Sequence, residues 1–226
     1  MQRYNIFNQL HKGLQALLYD TAIMLQQTAF CQGTEGKYAI EKLEILLHLF
    51  SQHASVEDTQ LLPGLRPFDE PAIISLEKDH QADRVATSRL KGLMQTYERS
   101  VSGDEKLEAG KLLTHAYREF LISNLKHMTR EEEVLNNILW NRFTDTEIFA
   151  IEQNLLSHIP HEELTIYSQW MIRGMNNLEI IAWLKTIEKT AVGPVFQVLF
   201  AMAEHELSAI RWQKIQEGLM EGALVA

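Results

Sequence analysis

The stretch His127-Met128-Thr129-Arg130-Glu131-Glu132 puts a histidine and a glutamate on a stripe that is otherwise apolar. Around it, from about residue 104 to 140, Leu113, Ala116, Phe120, Asn124, His127, Glu131, Leu135 and Ile138 recur at helical spacing. Residues four apart lie about 40° apart round a helix, so His127 and Glu131 share one face, and that face is the one that should be core. An ionised carboxylate in an apolar core is very costly without a partner. Either the polar groups satisfy each other or they hold a cation.

The same arrangement occurs earlier in the chain. A run from about 37 to 62 carries Leu43, Leu47, Phe50, His53, Glu57 and Leu61 on one stripe, with the sequence His53-Ala54-Ser55-Val56-Glu57-Asp58. Two further runs each carry a lone histidine among apolar residues. His11 falls in the run from about 4 to 30, with Phe7, Leu10, Leu14, Leu17, Leu18, Thr21 and Leu25. His80 falls in the run from about 71 to 99, with Ile73, Leu76, Leu90 and Met94. Each half of the region thus supplies a lone histidine and then a His-x-x-x-Glu pair. His-x-x-x-Glu alone is weak evidence. The other two instances are set aside. His115 is about 120° round the helix from His127, and His158 and Glu162 bracket Pro160, which disfavours helix before it.

Gly33 and Gly36, Pro63-Gly64 and Ser102-Gly103 separate the four runs. Four long helices with short breaks predict an all-α fold, an antiparallel four-helix up-and-down bundle over residues 1–142. Shorter helices follow at about 146–157, 160–175, 177–191 and 194–219, and form a C-terminal extension over 143–226. The last begins apolar nearly all round, so its start is expected to be buried. These helices are expected to pack on the bundle or on a second copy, and the second of these would make a homodimer through them.

Composition narrows the function. The chain has 226 residues, 46% hydrophobic and 23% charged, with 11 Gly and 5 Pro, too few turn formers for an all-β fold. A net charge of −9 argues against a nucleic-acid surface. A single cysteine, Cys31, fits a reducing compartment. Residues 1–25 show no signal-peptide pattern, and the longest apolar run is far too short for a membrane span. A soluble, cytoplasmic protein without membrane partners is expected.

The six core-stripe groups His11, His53, Glu57, His80, His127 and Glu131 suit a dinuclear metal site. Two imidazoles would serve each ion and two carboxylates would bridge. Imidazole with carboxylate suits iron, and zinc or manganese could take the same ligands. The competing reading is a buried polar network without metal.

The order His11 … His53-x-x-x-Glu57 … His80 … His127-x-x-x-Glu131, with Glu57-Asp58-x-x-Leu61-Leu62-Pro63 and Glu131-Glu132-x-x-Leu135, resembles the hemerythrin-like, or HHE cation-binding, family over residues 1 to about 140. The resemblance implies a bundle holding an oxo- or hydroxo-bridged di-iron centre that binds or senses O2, nitric oxide or peroxide in stress response or iron handling. Oxygen carriers of that family have a fifth histidine one turn from the lone histidine of the third helix. This chain has Leu76 and Arg84 there, so its set is closer to the four-histidine, two-glutamate iron–sulfur repair branch.

A binding or sensing protein is favoured over an enzyme. The alternatives are a di-iron oxidase or peroxidase, a cluster-repair factor, or a metal-free helical interaction module. An enzyme would need a substrate pocket or a proton donor beside the ions. Glu77 reads as solvated rather than as an extra ligand. Asn124, one turn before His127, is either a ligand-orienting group or a packed polar residue.

Overall fold

The computed structural model describes residues 3–190 and 193–221, and all its regular structure there is helical. The expected end of a helix at residue 191 lies outside the described residues. The helices are α1 (Asn8–Gln27), α2 (Gly33–Val56), α3 (Leu62–Leu65), α4 (Glu70–Arg99), α5 (Gly103–Arg142), α6 (Asp145–Ser157), α7 (His161–Gly174), α8 (Asn177–Thr190), α9 (Val195–Glu206) and α10 (Ala209–Met220). A π-turn, Glu57–Leu61, joins α2 to α3. The chain divides into two compact units, Met1–Ile6 with Leu17–Pro160 and Phe7–Ala16 with His161–Ala226. Helix α1 therefore contributes its first part to the second unit and its remainder to the first.

In the first unit the long helices run antiparallel. Contacts between α4 and α5 show it: Ser75 and Asp79 meet Arg130, Asp83 meets Asn124, and Arg89 meets Glu119, one index rising as the other falls. Contacts between α2 and α4 run the same way, from Gly36 beside Tyr97 to Glu57 beside His80. The predicted α5 stripe is the buried one, and Leu43, Leu47, Leu76, Leu113, Phe120 and Leu135 fill the core. Local signals set the helix starts. Ser102 and Glu105 close a capping box on α5, Thr144 and Glu147 do the same for α6, and Asp69 accepts from the Ala72 amide at α4.

Two boundaries differ from the sequence expectation. Gly33 and Gly36 were expected to end the first helix, but both lie in the first turn of α2, and the break falls at 28–32. Gly36 is there for space, since a Cβ on it would stand 1.7 Å from the Tyr97 hydroxyl oxygen. The second helix was expected to continue to 62, and it gives way to the π-turn at Glu57.

The second unit has its own core of Ile172, Met175, Ile180, Leu184, Leu199, Ala203, Trp212 and Ile215. Within it, α1 and α7 cross on glycine. A Cβ on Gly13 would meet the Met171 backbone at 2.8 Å, and one on Gly174 would meet the Lys12 carbonyl at 2.2 Å. Lys12 and Asn8 both reach the Glu179 carboxylate. The expected last helix is two helices. It breaks at Leu207, and the Ser208 side chain caps α10. The start of α9 is not buried as expected. Its Leu199 and Ala203 are covered, but Val195 is 37% and Val198 54% exposed. Among the described residues no helix is long and apolar enough to cross a membrane.

Gly36→Ala should destabilise the protein, because Tyr97 is buried and its hydroxyl donates to the Phe30 carbonyl at 3.1 Å. Overpacking of this kind costs about 1–3 kcal/mol. Gly64→Ala, with nothing within 4 Å of its Cβ, should be neutral or slightly stabilising. Chemical denaturation of both variants checks this, and equal midpoints would contradict the packing argument.

Candidate metal centre

Four elements of the first unit bring five of the six predicted groups together. His53 stands in the last turn of α2 and Glu57 opens the π-turn that follows. His80 comes from α4, and His127 and Glu131 from successive turns of α5. All five are buried, Glu131 completely. The sixth, His11, is fully buried on α1 in the second unit, with its ring 5.1 Å from that of Phe7.

The nitrogens converge on the carboxylates. His80 Nε2 lies 3.4 Å from Glu57 Oε2 and 3.3 Å from Glu131 Oε1. His127 Nε2 lies 2.9 Å from Glu131 Oε1, and His53 Nε2 lies 3.4 Å from Glu57 Oε2. The ligand atoms of Glu57, His80, His127 and Glu131 all fall within 4.8 Å of one another. Ligands on one ion, at bonds of about 2.1 Å, stand roughly 3–4 Å apart. The donor set therefore fits a divalent cation in chemistry and in spacing. A cation would also neutralise two carboxylates that the core leaves far from water.

Electrostatics in the ion-free protein agree. Burial alone would lower the His80 imidazolium, but hydrogen bonding and charge from Glu131 and Glu57 outweigh it and push its pKa up to about 11. His127 is raised against the same burial penalty, chiefly by Glu131.

Further charged and polar residues lie around these groups. Asp58 Oδ1 lies 2.6 Å from His80 Nδ1, and its Oδ2 accepts from Arg84 at 2.9 Å. Asp79 stands 3.7 Å from His127 Nδ1 and pairs with Arg130. Asp83 accepts from Ser123 and Asn124, and burial raises its pKa. A cavity of about 320 Å³ reaches His53, His80 and His127, with Phe50, Phe120 and Met128 on its apolar side and Asp58, Asp83 and Arg84 on its polar side.

Several subsidiary readings are resolved. Asn124 donates to the Phe120 carbonyl at 3.0 Å and to Asp83 at 3.4 Å, as a packed polar residue. Glu77 pairs with Arg66 at a partly exposed position. His115 and Glu119 meet on an exposed face of α5, and His158 caps the end of α6 while Glu162 belongs to α7.

A model of the hemerythrin HHE cation-binding domain matches residues 4–139, more than half of the chain. No curated protein and no solved structure matches it.

Protonation gives a direct check. In the ion-free protein His80 keeps its proton up to about pH 11, whereas in the unfolded chain it loses it near 6.5. The stability this proton contributes is fully present below pH 6.5 and is lost as pH rises toward 11. A metal ion needs the neutral imidazole, so binding near pH 7 should release protons and weaken as pH falls. Calorimetry of metal binding in buffers of different ionisation enthalpy measures the release. Binding without proton release would contradict these protonation states.

Proposed function

We propose, because this chain belongs to the hemerythrin HHE cation-binding family, that it holds two iron ions and uses them to bind or sense a small diatomic or peroxide ligand. The observation that carries the reading is the convergence of Glu57, His80, His127 and Glu131 on one ion-sized volume inside a bundle core. His53 Nε2, 3.4 Å from Glu57 Oε2, adds a fifth donor, and His11 completes the proposed set as the lone histidine of its run. Glu57 faces His53 and His80, and Glu131 faces His80 and His127, an arrangement that would suit bridging carboxylates. Mixed imidazole and carboxylate donors suit iron, with zinc and manganese as substitutes.

When bound, the iron pair would supply open coordination positions and one-electron redox chemistry. The chain's own residues do the rest. The two carboxylates would offset part of the cationic charge, and four imidazoles with two carboxylates would leave coordination positions unfilled. Phe50, Phe120 and Met128 give the approach an apolar wall that favours O2 or nitric oxide over water.

A second reading, a di-iron oxidase or peroxidase, is favoured by one specific feature. Asp83 lies on the wall of the cavity that reaches His53, His80 and His127, and burial raises its pKa. A pocket beside the donors is one of the features an enzyme would need.

Elemental analysis of protein expressed with iron tests the proposal, with absorption spectra before and after exposure to O2, nitric oxide and peroxide. About two irons per chain are expected, with spectra that respond to one of these ligands. Glu57→Ala and His127→Ala should lose the metal and melt at lower temperature. Unchanged metal content in either variant would overturn the ligand assignment. Steady consumption of peroxide with an electron donor, abolished in Asp83→Asn, would favour the second reading.

A further inference from the structure

Glu57 and Asp58 are sequence neighbours, yet they address the two nitrogens of the same imidazole. Glu57 Oε2 lies 3.4 Å from His80 Nε2, and Asp58 Oδ1 lies 2.6 Å from His80 Nδ1. On an α-helix adjacent side chains diverge by about 100°. The π-turn that begins at Glu57 spreads one turn over more residues and narrows that angle. Arg84, one turn after His80 on α4, donates to Asp58 Oδ2 at 2.9 Å and fixes the carboxylate from its other side.

We infer that Asp58 is the positioning residue for His80, held in place by Arg84. Asp58 accepts the Nδ1 proton, which leaves the lone pair on Nε2, the nitrogen that faces Glu57 and Glu131. A carboxylate on the far nitrogen also makes the imidazole a stronger donor. His127 has no equivalent contact at Nδ1: the carboxylate beside that nitrogen, Asp79, is 3.7 Å away and is drawn to Arg130. The two imidazoles facing Glu131 are therefore unequal, and His80 is the stronger donor. This inference rests on the reading of His80 as an iron ligand.

The test uses the full chain, with iron and without it. Asp58→Asn keeps the shape and removes the charge. Its iron(II) affinity should fall about 10–100-fold, and the midpoint potential of its bound iron should shift positive. Asp79→Asn should change affinity by no more than about threefold, since a 3.7 Å contact is not a hydrogen bond. Arg84→Gln, at an exposed side chain, should lower iron(II) affinity by less, since it frees Asp58 without removing it. It also serves as the reporter if Asp58→Asn fails to give a wild-type helical spectrum. His80→Ala separates the two levels of the argument. Iron retained in His80→Ala would overturn the reading of His80 as a ligand. Iron lost in His80→Ala, with Asp58→Asn or Arg84→Gln at wild-type affinity and potential, would overturn the positioning role alone.

Discussion

Two carboxylates buried in the core of a helical bundle are the constraint on which the rest of this structure depends. Glu57 and Glu131 are almost wholly removed from water, and each faces imidazole nitrogens. Neither could be ionised there without compensation, because a bare carboxylate in a medium of low dielectric is expensive by many kcal/mol. A protonated His80 supplies part of that compensation in the ion-free protein, and a cation supplies it more fully. Folding and metal binding are thus coupled through one set of charges.

The scaffold follows from the same requirement. Donor atoms a few ångströms apart must come from separate helices held in fixed register, and α2, α4 and α5 provide this through a core of leucine and phenylalanine. The i,i+4 pairs put a histidine and a glutamate of each face in line, and the antiparallel pairing of α4 with α5 brings His80 opposite His127, ring centroids 4.6 Å apart. A second layer of charge, Asp58 with Arg84 and Asp79 with Arg130, surrounds the donors and differs between the two histidines.

Much of this was legible in the sequence for a simple reason. A histidine or glutamate on an apolar stripe is conspicuous, so His53, Glu57, His80, His127 and Glu131 stand out, and helical periodicity is strong in runs this long. What could not be read was the layer outside the donors. Asp79 and Asp83 sit at positions where an acidic residue resembles any solvated one, and Asp58, though it stands in the quoted motif, gains its partners His80 and Arg84 only through the packing of α4. The π-turn has no pattern of its own, and it is what lets Asp58 reach His80. Gly33 and Gly36 suggested a helix end because glycine usually breaks helices. Here Gly36 makes room for Tyr97, a contact 61 positions further along the chain. The short α9 and α10 were merged because one serine cap, Ser208, is a weak signal inside a helical pattern.

The measurement that bears most directly on the central claim is anomalous diffraction at the iron edge from crystals of the iron-loaded protein. Two peaks flanked by His11, His53, His80 and His127, with Glu57 and Glu131 shared between them, are the predicted result. A single peak, a pair elsewhere in the chain, or no iron at these side chains would contradict it.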